Sequence, residues 1–304
     1  MTSETKQPHR VYLVDASIYV FRAWFTYPVH LSDSDGYQAN AVYGYADFLT
    51  RLLKSLAPAY IACAFDQSLD SSFRSDIFPA YKANREPAPE ELKRQFEYCR
   101  QLTRSLGVAE FASDRFEADD LIGTLAMMMR AQGHPVTVIS ADKDLTQLVH
   151  ADHDEWWDYA RGIRLDRHGV RRRFGVEPSM IADLLALAGD AVDNIPGVPG
   201  VGPKTAASLL NRFGNLDGIY QCLDDIPGSG LRSAKRVHAL LEKHEAEARL
   251  ALSLTRVYEE VPIDAGPDAL SWKGVDRELL DSVAEQVGFS RNRFQNWLPD
   301  AADR

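Results

Sequence analysis

The sequence predicts an α/β fold organised on a parallel sheet, and three observations carry that prediction. The runs RVYLVDAS (10–17), AYIACAFDQS (59–68) and PVTVISADKDL (135–145) are short, apolar and rich in β-branched or aromatic residues. Continuous apolar runs of this kind are strands covered on both faces, as parallel strands are. Segments of helical period separate the runs, and strand–helix alternation implies right-handed α/β units. Each run also ends in aspartate.

The elements follow in order. Residues 41–56, AVYGYADFLTRLLKSL, form the first candidate helix. In 90–106, Leu92, Phe96, Cys99, Leu102 and Leu106 recur at helical spacing, and Gly107 follows as the C-terminal cap. Segment 118–132 repeats the pattern and stops at Gly133. Past residue 150 the pattern changes, and EWWDYARGIRLDRHGV is read as a hairpin or an irregular excursion. From about 174 onward the chain reads as helices joined by Gly/Pro-rich turns. IPGSGLRSAKRVHALL (226–241) loosely echoes IPGVPGVGPKTAASLL (195–210), as two turn–helix units would.

Composition bounds the class. The chain has 304 residues, 45% hydrophobic and 26% charged, which is ordinary globular composition. No apolar run approaches the roughly 18 residues of a membrane span. The polar start MTSETKQPHR leads straight into the first strand, so no signal peptide and no membrane partner are expected. Cys63, Cys99 and Cys222 are too far apart for a zinc site or a disulfide framework, which points to a reducing cytoplasm.

Ligands of open α/β sheets bind beyond the carboxyl ends of the strands. Asp15, Asp66, Asp142 and Asp144 emerge there. EADD adds Glu117, Asp119 and Asp120 at the start of a helix, and GDAVDN adds Asp190 and Asp193, three residues apart on one side of a helical turn. A single aspartate after a strand is an ordinary turn former or helix cap. Nine carboxylates on one rim need cations, because burying unpaired charge is very costly. Oxygen-only ligands select hard ions such as Mg²⁺ or Mn²⁺, and the number of ligands suits two or three of them. Paired ions about 4 Å apart activate water and stabilise both oxygens of a displacement at a phosphodiester. The net charge of −10 argues at first against nucleic acid. Setting those nine aside from 44 acidic residues leaves 35 against 34 Lys and Arg, so the acidity is local.

Two further stretches bear on phosphate. GVPGVGPKTA (197–206) precedes a helix; glycines let a backbone approach phosphate, amides at a helix N-terminus hold it, and Lys204 and Thr205 add a charge and a hydroxyl. SSFRSDIFPAYKANREP (71–87) interleaves Phe73, Phe78 and Tyr81 with Arg74, Lys82 and Arg85, as a single-strand binder does. Residues 70–94 hold five acids, Asp70 among them, against five bases, so this is no basic patch and a surface loop is its plain reading.

The ordered set VDAS, AFD, FPAYKANR, FEADD, SADKDL and GDAVDNIPGVPGVGPKTA resembles the 5′-nuclease (flap endonuclease) superfamily. It looks closest to the 5′→3′ exonuclease domain of bacterial DNA polymerase I, over about residues 10–290, here expected as a free-standing member. The resemblance implies a PIN-like core over 1–173, with a helical arch at about 70–95. It implies a helical DNA-binding region over 174–304, with a helix–three-turn–helix at about 184–215. It implies Mg²⁺-dependent cleavage of DNA at a 5′ flap, nick or 5′ end, with RNA/DNA hybrids as a further substrate. One metal cluster would draw on Asp15, Asp66, Glu117, Asp119 and Asp120, the other on Asp142, Asp144, Asp190 and Asp193. Lys82 would neutralise the scissile phosphate and Tyr81 would stack on a base. Arg85 and Arg22 would contact phosphate near the cut, and Arg74 would bind DNA from the arch. Gly197, Gly200, Gly202, Lys204 and Thr205 would hold the duplex, with a K⁺ ion on turn carbonyls. A monomer is expected, and a separate DNA polymerase is the protein partner considered. VDAS departs from the family in Ala16, where glycine is common, and the arch is less basic than the family's. The alternatives are a junction-binding paralogue without turnover, which would lack carboxylates or Lys82, and a PIN-like ribonuclease, which would lack GVPGVGPKTA.

Overall fold

In chain order, β1 (Val11–Asp15) runs into α1 (Ala16–Thr26), followed by α2 (Asn40–Leu56), β2 (Tyr60–Asp66), α3 (Phe73–Ile77), α4 (Glu90–Ser105) and β3 (Ala109–Ser113). Then come α5 (Ala118–Ala131), β4 (Val136–Ile139), the hairpin strands β5 (Glu155–Asp158) and β6 (Ile163–Leu165), and α6 (Arg167–Phe174). The remainder is helical: α7 (Ile181–Ala188), α8 (Pro203–Phe213), α9 (Leu216–Gln221), α10 (Ala234–Lys243), α11 (Glu245–Thr255), α12 (Pro267–Leu270) and α13 (Arg277–Val287). This computed structural model describes residues 9–67 and 72–290. The first eight residues, Asp70 and Ser71 of the arch segment, and the C-terminal NWLPDAADR lie outside the described residues.

By contacts the chain forms two compact units interleaved along the sequence. The first comprises Met1–Asp70, Pro87–Ala141 and Glu259–Arg304. Its parallel strands lie in the order β3-β2-β1-β4, with Asp15 opposite Ala64 and Asp66 opposite Ser113. Leu13, Ile61, Phe65, Leu49, Leu102 and Ile122 are fully buried at its core. Their continuous apolar pattern makes these strands legible in the sequence. β3 (AEFAS) is half-buried throughout and lies at the sheet edge, and nothing in its composition announces a strand. Arg100 and Arg104 both pair with its Glu110. Gly107 ends α4 at φ +70°, and a Cβ there would stand 1.8 Å from the Gly274 carbonyl oxygen, so only glycine fits.

The second unit comprises Ser71–Glu86 and Asp142–Tyr258. EWWDYARGIRLDRHGV forms the antiparallel β5–β6 hairpin and enters α6. α7 and α8 flank the GDAVDNIPGVPGVG turns, and α10 follows the echoing 226–233 segment, so both turn–helix units exist. Residues 72–95 are α3, a chain of turns and the start of α4. All three cysteines are free, and burial pushes the Cys63 thiol up to about 12. No described helix is long and apolar enough to cross a membrane.

Candidate active site

In the first unit, strand ends and a helix start bring acids together. Asp15 closes β1 and caps α1: Oδ1 accepts the Ile18 N–H at 3.3 Å, and Oδ2 accepts the hydroxyl of Ser140, just past β4, at 2.7 Å. Asp66 closes β2, and its Oδ1 accepts the N–H of Ala118, the first residue of α5, at 2.9 Å. Its own N–H donates to Ser17 Oγ at 2.8 Å. In EADD, Asp120 is fully buried and its Oδ2 accepts the Glu117 N–H at 3.2 Å. The Glu117 side chain in turn accepts the Asp120 N–H, so two acids of that crowded turn do the ordinary work of a helix cap. Glu117 and Asp119 are half-buried, and Arg22 is exposed on α1.

In the second unit, Asp142 caps the 3₁₀ turn Lys143–Leu148, accepting the Asp144 N–H at 2.9 Å. The Lys143 ammonium donates to Asp190 Oδ2 at 2.6 Å and stands 3.2 Å from Asp144 Oδ1. Asp190 and Asp193 do not share a helical turn, which corrects the sequence reading. α7 stops at Ala188, and the two acids sit in a tight loop closed by reciprocal backbone bonds between Asp190 and Ile195, at 2.9 and 2.8 Å. Gly189 (φ +80°) breaks the helix, and a Cβ on Gly197 would stand 2.2 Å from the Gly189 nitrogen.

The Asp193 side chain accepts the Tyr81 hydroxyl at 3.3 Å, pairs with Arg85, and lies 4.0 Å from the Lys82 ammonium. Lys82 adopts φ +55°, uncommon for a residue with a side chain, and its N–H donates to the Asp193 carbonyl at 3.0 Å. Two asparagines complete the clasp between these turns. Asn84 donates to the Ala191 carbonyl at 3.0 Å, and Asn194 (φ +56°) donates to the Ala80 carbonyl at 2.6 Å.

Crowded carboxylates perturb one another here. Burial, with Asp142 beside it, pushes the Asp144 carboxyl up to about 7. Burial also raises Asp142, and Asp193 adds to the effect. For Asp190, burial acts upward, but the Lys143 ammonium and nearby amides hold the carboxyl below its usual range. Asp144 Oδ1 is buried without a well-formed hydrogen bond. Among the described residues, no three His, Cys, Asp or Glu side chains stand close enough together to hold an ion as they are. Their oxygens engage amides, hydroxyls, ammonium and guanidinium groups. The donor set still fits a hard cation: it is oxygen-only, and it holds an under-satisfied buried carboxylate among like charges.

Three expected roles change. Tyr81 is 6% exposed and packs with Ala186, Ile195, Ala251 and Leu254, so its ring is a buried support for Asp193 rather than a platform for a base. Arg74 is 2% exposed and donates to the Leu254 and Arg256 carbonyls at 2.9 and 3.0 Å, tying down α3 rather than facing DNA. Gly197 allows backbone to pack on backbone, as its contact with Gly189 shows. Gly200 (φ +85°) and Gly202 are exposed at the start of α8, with Lys204 exposed and Thr205 half-buried. The first turn of α8 carries no acid. Sequence reasoning missed Lys143, Ser140, Asn84 and Asn194 as site residues. Lys143 had a visible signal, a base between two aspartates in DKD.

Comparison with known proteins shows the family and the fold. A family model described as "5'-3' exonuclease, N-terminal resolvase-like domain" matches residues 10–175, and "5'-3' exonuclease, C-terminal SAM fold" matches 176–278. DNA polymerase I of Pseudomonas aeruginosa is 39% identical over 289 residues, covering 95% of this chain and 31% of the relative. The chain thus spans about a third of the length of the curated relatives it matches. The phage T5 5′-exonuclease, solved with zinc ions, superposes at TM-score 0.65 with 23% identity, covering 91% of this chain and 99% of that one. The catalytic core of Rad2 in complex with DNA superposes at 0.62 with 15% identity, over 97% and 93%. The chain belongs to the 5′-3′ exonuclease family.

Proposed function

We propose that the chain is a divalent-metal-dependent 5′ nuclease that hydrolyses DNA at a 5′ flap, nick or 5′ end, and the RNA strand of hybrids as well. The observation that supports this best is the joining of acids and phosphate-binding cations in one cluster. Lys82 and Arg85 meet Asp193, within the set that also holds Asp142, Asp144 and Asp190. Asp15, Asp66, Glu117, Asp119 and Asp120 would hold one ion, and the second acid set another, two or three Mg²⁺ or Mn²⁺ in all. Such ions supply an activated water and charge neutralisation at phosphorus. The chain's own residues do the rest. Lys82, fixed by its left-handed backbone and the Asp193 carbonyl, offers an ammonium that can move from Asp193 to the scissile phosphate. Arg85, half-exposed, offers a bidentate grip on the neighbouring phosphate. Arg22, exposed on α1, would contact a further phosphate.

Residues 1–173 would provide the nuclease portion, with the arch at about 70–95 receiving the single strand, and 174–304 the duplex grip. At α8, the amides of its first turn, which itself carries no acid, with Gly200, Gly202, Lys204 and Thr205, favour a backbone phosphate. A K⁺ ion on the turn carbonyls would strengthen that grip. Binding of this kind reads charge and shape, and weakens with salt. Action as a cytoplasmic monomer beside a DNA polymerase completes the proposal. A labelled 5′-flap DNA, incubated with Mg²⁺ or EDTA and with an RNA competitor, tests it. Cleavage near the junction that EDTA abolishes is expected. Binding without cleavage would instead support a junction-binding protein, and preferential cutting of single-stranded RNA a ribonuclease.

A further inference from the structure

The most unusual member of the second acid set is a base. Lys143 lies between Asp142 and Asp144, and its ammonium bridges Asp190 Oδ2 (2.6 Å) and Asp144 Oδ1 (3.2 Å). Those carboxylates come from segments 46 residues apart in sequence, and the ammonium is the cation between them. On one side it lines a cavity of about 280 Å³ whose other walls are mainly apolar, including Phe174, Leu184 and Leu185. Its side chain is 46% exposed, so water is its alternative partner. We propose that Lys143 is a built-in counter-ion for the Asp144–Asp190 pair, displaced when a divalent cation binds there, and that it thereby sets the affinity of the second acid set for ions. This rests on the metal-dependent reading above.

The physical reason is competition for the same oxygens. A charge-assisted bond at 2.6 Å occupies the lone pairs that a hard cation would use. An ammonium and a divalent ion on one carboxylate also repel each other. A lysine has a flexible stem and a strongly hydrated head, so it can retreat to solvent when displaced. Without the ion, the same ammonium limits repulsion between Asp144 and Asp190, so the acid set stays together before metal arrives. Lys143 is therefore a positioning residue: it lowers ion affinity and raises metal-free stability by one interaction.

The test is direct Mn²⁺ binding to the DNA-free protein, by calorimetry or by the paramagnetic resonance of free Mn²⁺, with thermal unfolding in EDTA alongside. Lys143→Met is expected to tighten the weaker Mn²⁺ site by roughly three- to tenfold, the size of one partly exposed charge pair. Its metal-free melting temperature is expected to fall, while Lys143→Arg stays near wild type in both measurements. Unchanged or weaker Mn²⁺ binding in Lys143→Met, with a native circular dichroism spectrum, would overturn the proposal. Should that variant not fold, Lys143→Gln is read by the same criteria. A wild-type chain that binds no Mn²⁺ would overturn the metal-dependent reading itself, whereas normal wild-type binding unaffected by Lys143 removes only this inference.

Discussion

In both acid sets carboxylates accept from backbone amides, and in the second set ammonium and guanidinium groups stand at short range as well. In the first unit, Asp15, Asp66 and Asp120 accept from backbone amides and a serine hydroxyl, and in doing so cap α1 and α5. In the second, amides of Asp144 and Val192 donate to Asp142 and Asp190 in the same way, and Lys143, Arg85 and Lys82 stand as cationic partners of Asp144, Asp190 and Asp193. Amides are fixed by the helix that carries them, so the first set is also scaffolding for α1 and α5. Ammonium and guanidinium groups sit on long stems and can leave. The cationic partners of the second set are thus its adjustable part.

The sharpest break of this comparison is Asp190→Ala. Its side chain supports no helix, so the fold should survive, while the Mg²⁺-supported single-turnover rate on a 5′ flap falls by on the order of 10³-fold or more. Full activity would remove the GDAVDN turn from the chemistry. Next in size, Lys82→Ala should lower the single-turnover rate by roughly 10²–10³-fold, with little change in substrate affinity. Equal losses in rate and affinity would assign Lys82 to binding alone.

Stability separates the sets in opposite directions. Asp15→Ala removes the cap of α1 and the partner of Ser140, and should cost about 1–2 kcal/mol in EDTA, read by thermal unfolding. Asp144→Asn should stabilise the metal-free protein at alkaline pH. The Asp144 carboxyl rises from 3.8 to about 7 on folding, so its protonated form is favoured by the folded state. Its contribution to stability is complete below 3.8 and is lost as pH rises through about 7. Wild type in EDTA should therefore lose melting temperature over that window, and Asp144→Asn should lose less. A parallel pH dependence in both proteins would contradict the burial argument. The smallest effect belongs to Tyr81→Phe, which removes one hydroxyl bond to Asp193 and should cost about 0.5–1.5 kcal/mol while leaving flap affinity unchanged. Tyr81→Leu, which removes the ring itself, should also leave flap affinity unchanged, and a large loss of affinity in a folded Tyr81→Leu variant would restore Tyr81 as a base-stacking residue.

Much of the fold was legible because burial on both faces leaves a local record. The strands ending at Asp15 and Asp66, and the helices Asn40–Leu56, Glu90–Ser105 and Ala118–Ala131, lie within a residue or two of their segments, whereas β4 ends at Ile139, six residues before the end of PVTVISADKDL, whose tail enters a 3₁₀ turn. Gly107 and Gly133 end the latter two helices at positive φ, as their positions suggested. β3 was not legible, since an edge strand of Ala, Glu and Ser buries too little to be apolar. α1 escaped notice because it continues the strand without a break in composition.

The sequence by itself determined the parallel α/β core, the acids at its strand ends and the glycine-rich turns, because each is a local choice of residue type. Only the tertiary structure decided what those side chains touch. Arg74 and Tyr81 look like nucleic-acid contacts in a row of basic and aromatic residues, yet both are buried supports. Lys143 looks like a surface base, yet it bridges two carboxylates from distant segments. Partners far apart in sequence meet only when the chain packs, so their roles are written in distances rather than in order.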